Sequence, residues 1–232
     1  MHEAHLDPEF EQLFARFAQQ EVPQQPGQQL EETTRYLAIL CALVGCQGVE
    51  EFRRALPRAL DAGLGAVAVK EAVYQAVAYL GIGKVRPFLT ATNEVLAQRG
   101  VALPLAGQAT VTPDDRLEKG VQAQVAIFGD GMREAWKNGH IHRYLAANCF
   151  GDYYTRGGLS DAEREMITFC FLLAQGGCEN QLRGHTAGNF GVGNGPEKLY
   201  SVVEQCLPYI GYPRSLNAMQ IIDETARKFE AK

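Results

Sequence analysis

A thiol and an imidazole stand seven residues apart in the stretch Gly176-Gly177-Cys178-Glu179-Asn180-Gln181-Leu182-Arg183-Gly184-His185. Two turns of an α-helix cover that separation. Cys178, Gln181, Leu182 and His185 follow the i, i+3, i+4, i+7 rule and are expected on one helix face, while Glu179 and Arg183 are expected to pair at i, i+4 on another. The imidazole can move a proton near neutral pH. The thiol, at a helix start where the macrodipole favours its anion, can be a nucleophile or be oxidised by peroxide.

The elements that must position this stretch read as helices. Phe10, Leu13, Phe14 and Phe17 recur at helical spacing before the breaker Pro23-Gln24-Gln25-Pro26-Gly27. Further helices are expected from Leu30 to Leu43, Val49 to Ala62, Val67 to Tyr79 and Arg86 to Gln98, each bounded by glycine or proline. After an irregular stretch from Gly100 to Asp115, Thr112-Pro113-Asp114-Asp115 introduces a helix from Arg116 to Phe128. Ile141 to Tyr154 reads as another. Ser160-Asp161-Ala162-Glu163 has the form of a capping box opening an apolar helix over Met166 to Ala174. After the Cys178 to His185 stretch come Glu197 to Ile210, which Pro208 is expected to kink or end, and Arg214 to Phe229. No segment alternates as a strand would, so the fold class is all-α.

The chain also resembles itself. Displaced by 130 residues without a gap, it places Leu43 on Leu173, Arg53 on Arg183, Gly63 on Gly193, Gln75 on Gln205, Tyr79 on Tyr209, Gly81 on Gly211 and Glu94 on Glu224. We read this as a tandem repeat, with a degenerate first domain over residues 1–104 and a second over 113–232 that carries the Cys178/His185 motif. In this register Cys178 falls on Gly48, Gln181 on Glu51 and His185 on Ala55. Conversely, Glu71 falls on Ser201, so the chemistry is supplied either by the second half alone or by both, with Glu71 joining from the first. Tyr209 has its counterpart Tyr79 in the half without a histidine, which suggests packing.

Composition narrows the classes of function. A formal net charge of −5 with no cluster of Lys and Arg argues against a nucleic-acid partner. The N-terminus lacks the pattern of a signal peptide and no apolar run reaches membrane-spanning length, so a cytoplasmic protein with no membrane partner is expected. The six cysteines form no CxxC pair. His2, His5, His140 and His142 make no ligand set with carboxylates, and no metal is expected. Gly157-Gly158 and the run Gly191 to Gly195 lack the strand-then-helix setting of a phosphate loop and read as helix terminators.

The chain resembles the carboxymuconolactone decarboxylases and the related alkyl hydroperoxidase D-like proteins. The resemblance is carried by Phe150-Gly151-Asp152-Tyr153-Tyr154-Thr155-Arg156, Leu159, Arg164-Glu165, the Gln181 to His185 core, Gly193 and Tyr209-Ile210-Gly211-Tyr212-Pro213. It implies two alkyl hydroperoxidase D-like helical domains in tandem and a homo-oligomer, such as a trimer of two-repeat chains. The redox branch of that family carries CxxC and a histidine four residues later. Cys178 and His185 match the first cysteine and the histidine, but Gln181 stands where the second cysteine would be, which rules out a disulfide cycle within the motif. That branch also has a glutamate twelve residues before the first cysteine. Met166 holds this position here, with Glu165 one residue away and a helical turn able to bring it near.

The decarboxylase branch keeps the histidine and the downstream Tyr-x-Gly-x-Pro, and needs neither cysteine nor cofactor. The resemblance therefore implies a lyase for a small carboxylated lactone or related acid. His185 would be its proton donor, Glu165 and Cys178 further catalytic candidates, and Arg156, Gln181 and Arg183 candidates for holding the substrate. A peroxidase using Cys178 and an outside thiol, and a non-catalytic oligomeric binding protein, are the alternatives.

Overall fold

A computed structural model describes residues 6–27 and 29–230. His2 and His5 lie outside the described residues. The chain forms α1 (Pro8–Arg16), which continues through a π-helical turn, then α2 (Glu32–Gly45), α3 (Val49–Asp61), α4 (Ala66–Leu80) and α5 (Ile82–Gln98). After a connector come α6 (Arg116–Phe128) and the short α7 (His140–Tyr144), which runs into a π-helical segment, Leu145–Tyr154. The chain ends with α8 (Asp161–Gln175), α9 (Glu179–Gly191), α10 (Pro196–Ile210) and α11 (Tyr212–Glu230). Among the described residues there is no strand, so the fold is all-α. No described helix is long and apolar enough to cross a membrane.

Two helices without a polar face occupy the centre. α2 is buried without interruption from Leu37 to Gly45 and α8 from Arg164 to Ala174, as expected of helices packed on every side. Gly45 lets their backbones meet, since a Cβ there would lie 2.7 Å from the Phe171 carbonyl oxygen and 2.8 Å from Ala174 Cβ. The capping box opening α8 is formed, with Ser160 accepting from the Glu163 amide and Glu163 accepting from the Ser160 amide. It fixes the first turn of α8, and from there into the second turn Arg164, Glu165 and Thr168 are polar yet fully buried.

The bounds of α9 and α10 are those of α3 and α4 plus 130. An ion pair recurs in the same register: Arg53 with Glu94, and Arg183 with Glu224 at 3.0 Å. This corrects the expectation that Arg183 pairs with Glu179 along its own helix. Glu179 instead accepts from the Gly177 amide at 3.3 Å, leaving Arg183 to tie α9 to α11. Pro208 neither ends nor replaces the last turn of α10, which continues to Ile210. Only two helical residues follow it, so the single N–H it removes unravels little.

α6 and the π-helical segment form a tight pair. A Cβ at Gly120 would lie 1.9 Å from the Ala146 carbonyl oxygen, and one at Gly151 would lie 2.2 Å from that of Arg116. The two backbones are therefore in contact through glycines. This pair carries Phe128, Phe150 and Tyr154, which pack with Ile127 and Cys149 beside Tyr79 of α4.

Candidate active site

The site is built on two antiparallel neighbours, α8 and α9. Glu165 lies in the second turn of α8 and His185 in the middle of α9, and the His185 Nδ1 is 2.9 Å from Glu165 Oε2. Asn189, one turn beyond the histidine, holds the two backbones at this spacing. Its Nδ2 donates to the carbonyls of both Glu165, at 3.0 Å, and His185, at 2.8 Å, and it is itself fully buried. Gly188 completes the fit: a Cβ there would lie 2.5 Å from Glu165 Oε2 and 2.7 Å from Phe128 Cε1. The carboxylate thus sits where any other residue at 188 would put a side chain.

Hydrogens around Glu165 can be assigned from donor capacity alone. Gln75 Nε2 donates to Thr168 Oγ1 at 2.9 Å, which turns the threonine's own hydrogen to the Tyr154 hydroxyl at 2.8 Å. Tyr154 has one hydrogen and gives it to Glu165 Oε1 at 2.7 Å. Tyr79, 2.9 Å from the Tyr154 hydroxyl, must then be a donor to it, and Tyr79 accepts in turn from the Cys149 thiol at 3.6 Å. The chains of donors that run through Thr168 and Tyr79 both end, by way of Tyr154, on one carboxylate. Burial pushes the Tyr79 and Tyr154 hydroxyls well above the ordinary phenol value, and the Cys149 thiol up to about 12, so all three keep the hydrogens this arrangement needs.

With Oε1 taken by Tyr154, Oε2 is left to accept the hydrogen on His185 Nδ1. The opposite nitrogen, Nε2, meets no protein partner among the described residues, and the His185 side chain is 13% exposed. Two aromatic edges fix the ring: Tyr79 and Phe128 have centroids 5.4 and 5.5 Å from that of His185, each inclined at 79°. The result is an imidazole of defined tautomer in an aromatic slot, with one nitrogen open for proton transfer.

Of the residues singled out in the sequence, the structure brings together His185 and Glu165. Cys178 is the N-cap of α9, and its thiol turns to the far end of α8, donating to the Leu172 carbonyl at 3.4 Å beside Gln175 Nε2 at 3.7 Å. Leu172 and Glu165 are seven residues apart on α8, roughly 10 Å of helix. Burial raises the Cys178 thiol above its ordinary value, the Gln175 contact opposes this, and the Glu179 charge adds to it. The helix start does not make it a poised thiolate. Gln181 is exposed. Arg183 is engaged by Glu224.

Arg156 is engaged by Glu71, with its Nε 2.8 Å from Oε2 and Nη2 2.9 Å from Oε1. Glu71 is 2% exposed and also meets the fully buried Arg164 at 3.4 Å. Arg164 continues to Gln75 Oε1 at 2.8 Å, and Gln75 leads through Thr168 to Tyr154. Glu71, Gln75 and Tyr79 are spaced i, i+4, i+8 on α4, so the Arg156 end lies about 12 Å of helix from the Tyr79 end. Arg156 and Glu71 therefore anchor the network at a distance from the imidazole.

Tyr79, Gln75, Tyr154, Thr168 and Asn189 are not signalled as site residues by the motif. The repeat register suggests packing for Tyr209, which lies edge-on to Phe14 at 5.8 Å, whereas its counterpart Tyr79 lies edge-on to His185. Buried polar residues on the otherwise apolar α8 are the available signal.

An all-helical scaffold holding a carboxylate and imidazole pair with one free ring nitrogen defines a class of proton-transfer sites. The Carboxymuconolactone decarboxylase family model matches residues 140–224, a span that includes Tyr154, Glu165 and His185. A similar protein is the 4-carboxymuconolactone decarboxylase of Acinetobacter baylyi, 30% identical over 117 residues, which are 48% of this chain and 87% of the relative. The chain belongs to the carboxymuconolactone decarboxylase family.

Proposed function

We propose that the protein is a lyase that removes CO2 from a small unsaturated lactone bearing a carboxylate, with His185 as the acid. The observation that carries this reading is the free Nε2 of an imidazole whose other nitrogen is fixed by Glu165. When such a substrate loses CO2, the C–C bond to the carboxylate breaks and its electron pair enters the conjugated lactone carbonyl. The resulting enolate must then take a proton on carbon. Imidazolium at His185, hydrogen-bonded through Nδ1 to Glu165, delivers that proton from Nε2, and water restores it. Phe128 and Tyr79 make the walls apolar, which favours loss of the charged carboxylate as neutral CO2.

The activity named for the Acinetobacter relative supports this substrate class. A thiol peroxidase reading is disfavoured by the placement of Cys178, whose thiol points at the Leu172 carbonyl and is raised by burial. The test is to assay the protein with 4-carboxymuconolactone and related γ-carboxy lactones, and separately with hydroperoxide plus a dithiol. Lactone turnover should fall about 10²–10⁴-fold in His185→Ala and persist in Cys178→Ser. Peroxide turnover that disappears in Cys178→Ser, without lactone turnover, would refute the lyase.

A further inference from the structure

A cavity separate from the His185 site lies against α3. It is an open cleft of about 780 Å3, within the range of small-molecule sites, between α1, α3 and the end of α10. In the 130-residue register it is the counterpart of the His185 site. Its wall positions Gly48, Glu51 and Arg58 fall on Cys178, Gln181 and Gly188, and its Tyr209 falls on Tyr79. At His185 the corresponding space is filled: Gly188 is packed against Glu165 and Phe128, and the imidazole lies between Phe128 and Tyr79. In the first half Ala55 replaces the histidine and is fully buried, and the volume in front of Tyr209 remains open.

The chemistry of the wall is specific. Phe14 and Tyr209, edge-on to each other, with Leu43 and Pro208, provide an apolar floor. Arg58 lines the same cavity, and its Nε is buried with no acceptor among the described residues. Its nearest carboxylate, Glu51, is 4.0 Å from Nη2 and is also shared with Arg54 at 3.4 Å. The Nε itself is closed to solvent, but 36% of the Arg58 side chain is exposed and it makes no hydrogen bond among the described residues, so its terminal nitrogens are the donors left for a ligand oxygen. Glu11, Glu50 and Glu51 balance the three lining arginines in formal charge, so selection would come from the position of Arg58 and not from the net field.

We propose that this cavity is a second ligand site, taking a small planar carboxylic acid whose ring lies against Tyr209 and Phe14 and whose carboxylate accepts from Arg58. The site is independent of the chemistry at His185. The full chain is titrated calorimetrically with benzoate, benzamide and benzylamine, which share a ring and differ in charge. Benzoate should bind one per chain, equally in wild type and His185→Ala, with benzamide and benzylamine at least about tenfold weaker. Arg58→Gln should weaken benzoate at least about tenfold, and Ala15→Trp, which fills the cavity from α1, should abolish its binding. No heat with benzoate at millimolar concentration, equal affinity for benzamide, unchanged affinity in Arg58→Gln, or loss of binding in His185→Ala would each overturn the assignment.

Discussion

Glu165→Gln tests the hydrogen assignment most directly, because it is isosteric and changes only donor and acceptor roles. In the native protein both carboxylate oxygens accept, one from Tyr154 at 2.7 Å and one from His185 Nδ1 at 2.9 Å. A glutamine has one acceptor end and one donor end. Tyr154 is committed as a donor, because Thr168 and Tyr79 both give their hydrogens to it, so the amide oxygen must face Tyr154 and the amide nitrogen must face Nδ1. The imidazole then carries its hydrogen on Nε2 and presents the Nδ1 lone pair to the substituted amide, which reverses the tautomer.

The two charge-assisted bonds become neutral ones, at a difference of about 1 kcal/mol each, so unfolding free energy should fall by about 1–3 kcal/mol. Turnover should fall further, because the neutral ring gains a hydrogen on Nε2 but loses the carboxylate that balances the imidazolium. A loss on the order of 10²–10⁴-fold is expected. Nitrogen-15 spectra of histidine-labelled protein distinguish the protonated from the unprotonated ring nitrogen. An unchanged His185 tautomer in Glu165→Gln would refute the donor bookkeeping, and unchanged turnover would refute the role of the pair.

Gly188→Ala should displace Glu165 or Phe128, because its methyl group would lie 2.5 Å from one and 2.7 Å from the other; overpacking of this kind costs about 1–3 kcal/mol, and turnover should fall while the mutant melts as a folded protein in calorimetry. Glu71→Gln leaves the fully buried Arg164 without a counter-charge, so urea unfolding should show a loss of about 3–5 kcal/mol, larger than that of Arg156→Ala, whose guanidinium is partly exposed. Stability should also decline above about pH 9. The Cys149 thiol stays protonated in the folded chain up to about 12, whereas an unfolded thiol ionises near 8.5, so the unfolded state binds fewer protons across that window. The slope is up to about 1.4 kcal/mol per pH unit, and Cys149→Ser should flatten denaturation midpoints measured between pH 9 and 12.

Helix positions are legible in the sequence because punctuation is strong. The capping box, the glycines after α3 and α9, and the acidic turn before α6 mark their boundaries. Glu165 is legible as a candidate because it lies near a family position, although spacing alone cannot say that α8 and α9 run antiparallel and set it against His185. Arg183 is misassigned because i, i+4 is a local rule, and the competing partner Glu224 is brought up by the fold. The register contains that answer, since Arg53 and Glu94 match Arg183 and Glu224 together. Tyr79 is invisible for a deeper reason. Its counterpart Tyr209 has no such role, so identity between the halves carries no information about which tyrosine meets an imidazole.

The path from Glu71 through Gln75 to Tyr79 bears on how the chain tolerates change. Within the first half, α3 has Ala55 where His185 stands, while α4 supplies three residues to the network around Glu165. Within the second half the burden is inverted: α9 holds the imidazole, and α10, the counterpart of α4, has Ser201 in place of Glu71. Paired helices have thus exchanged duties. A saturation screen selecting for turnover would return two complementary stripes, one on α4 and one on α9, with their partners α10 and α3 free to drift within the limits of packing. Genetic sensitivity in this chain would follow the proton wiring between α4, α8 and α9 instead of recurring every 130 residues.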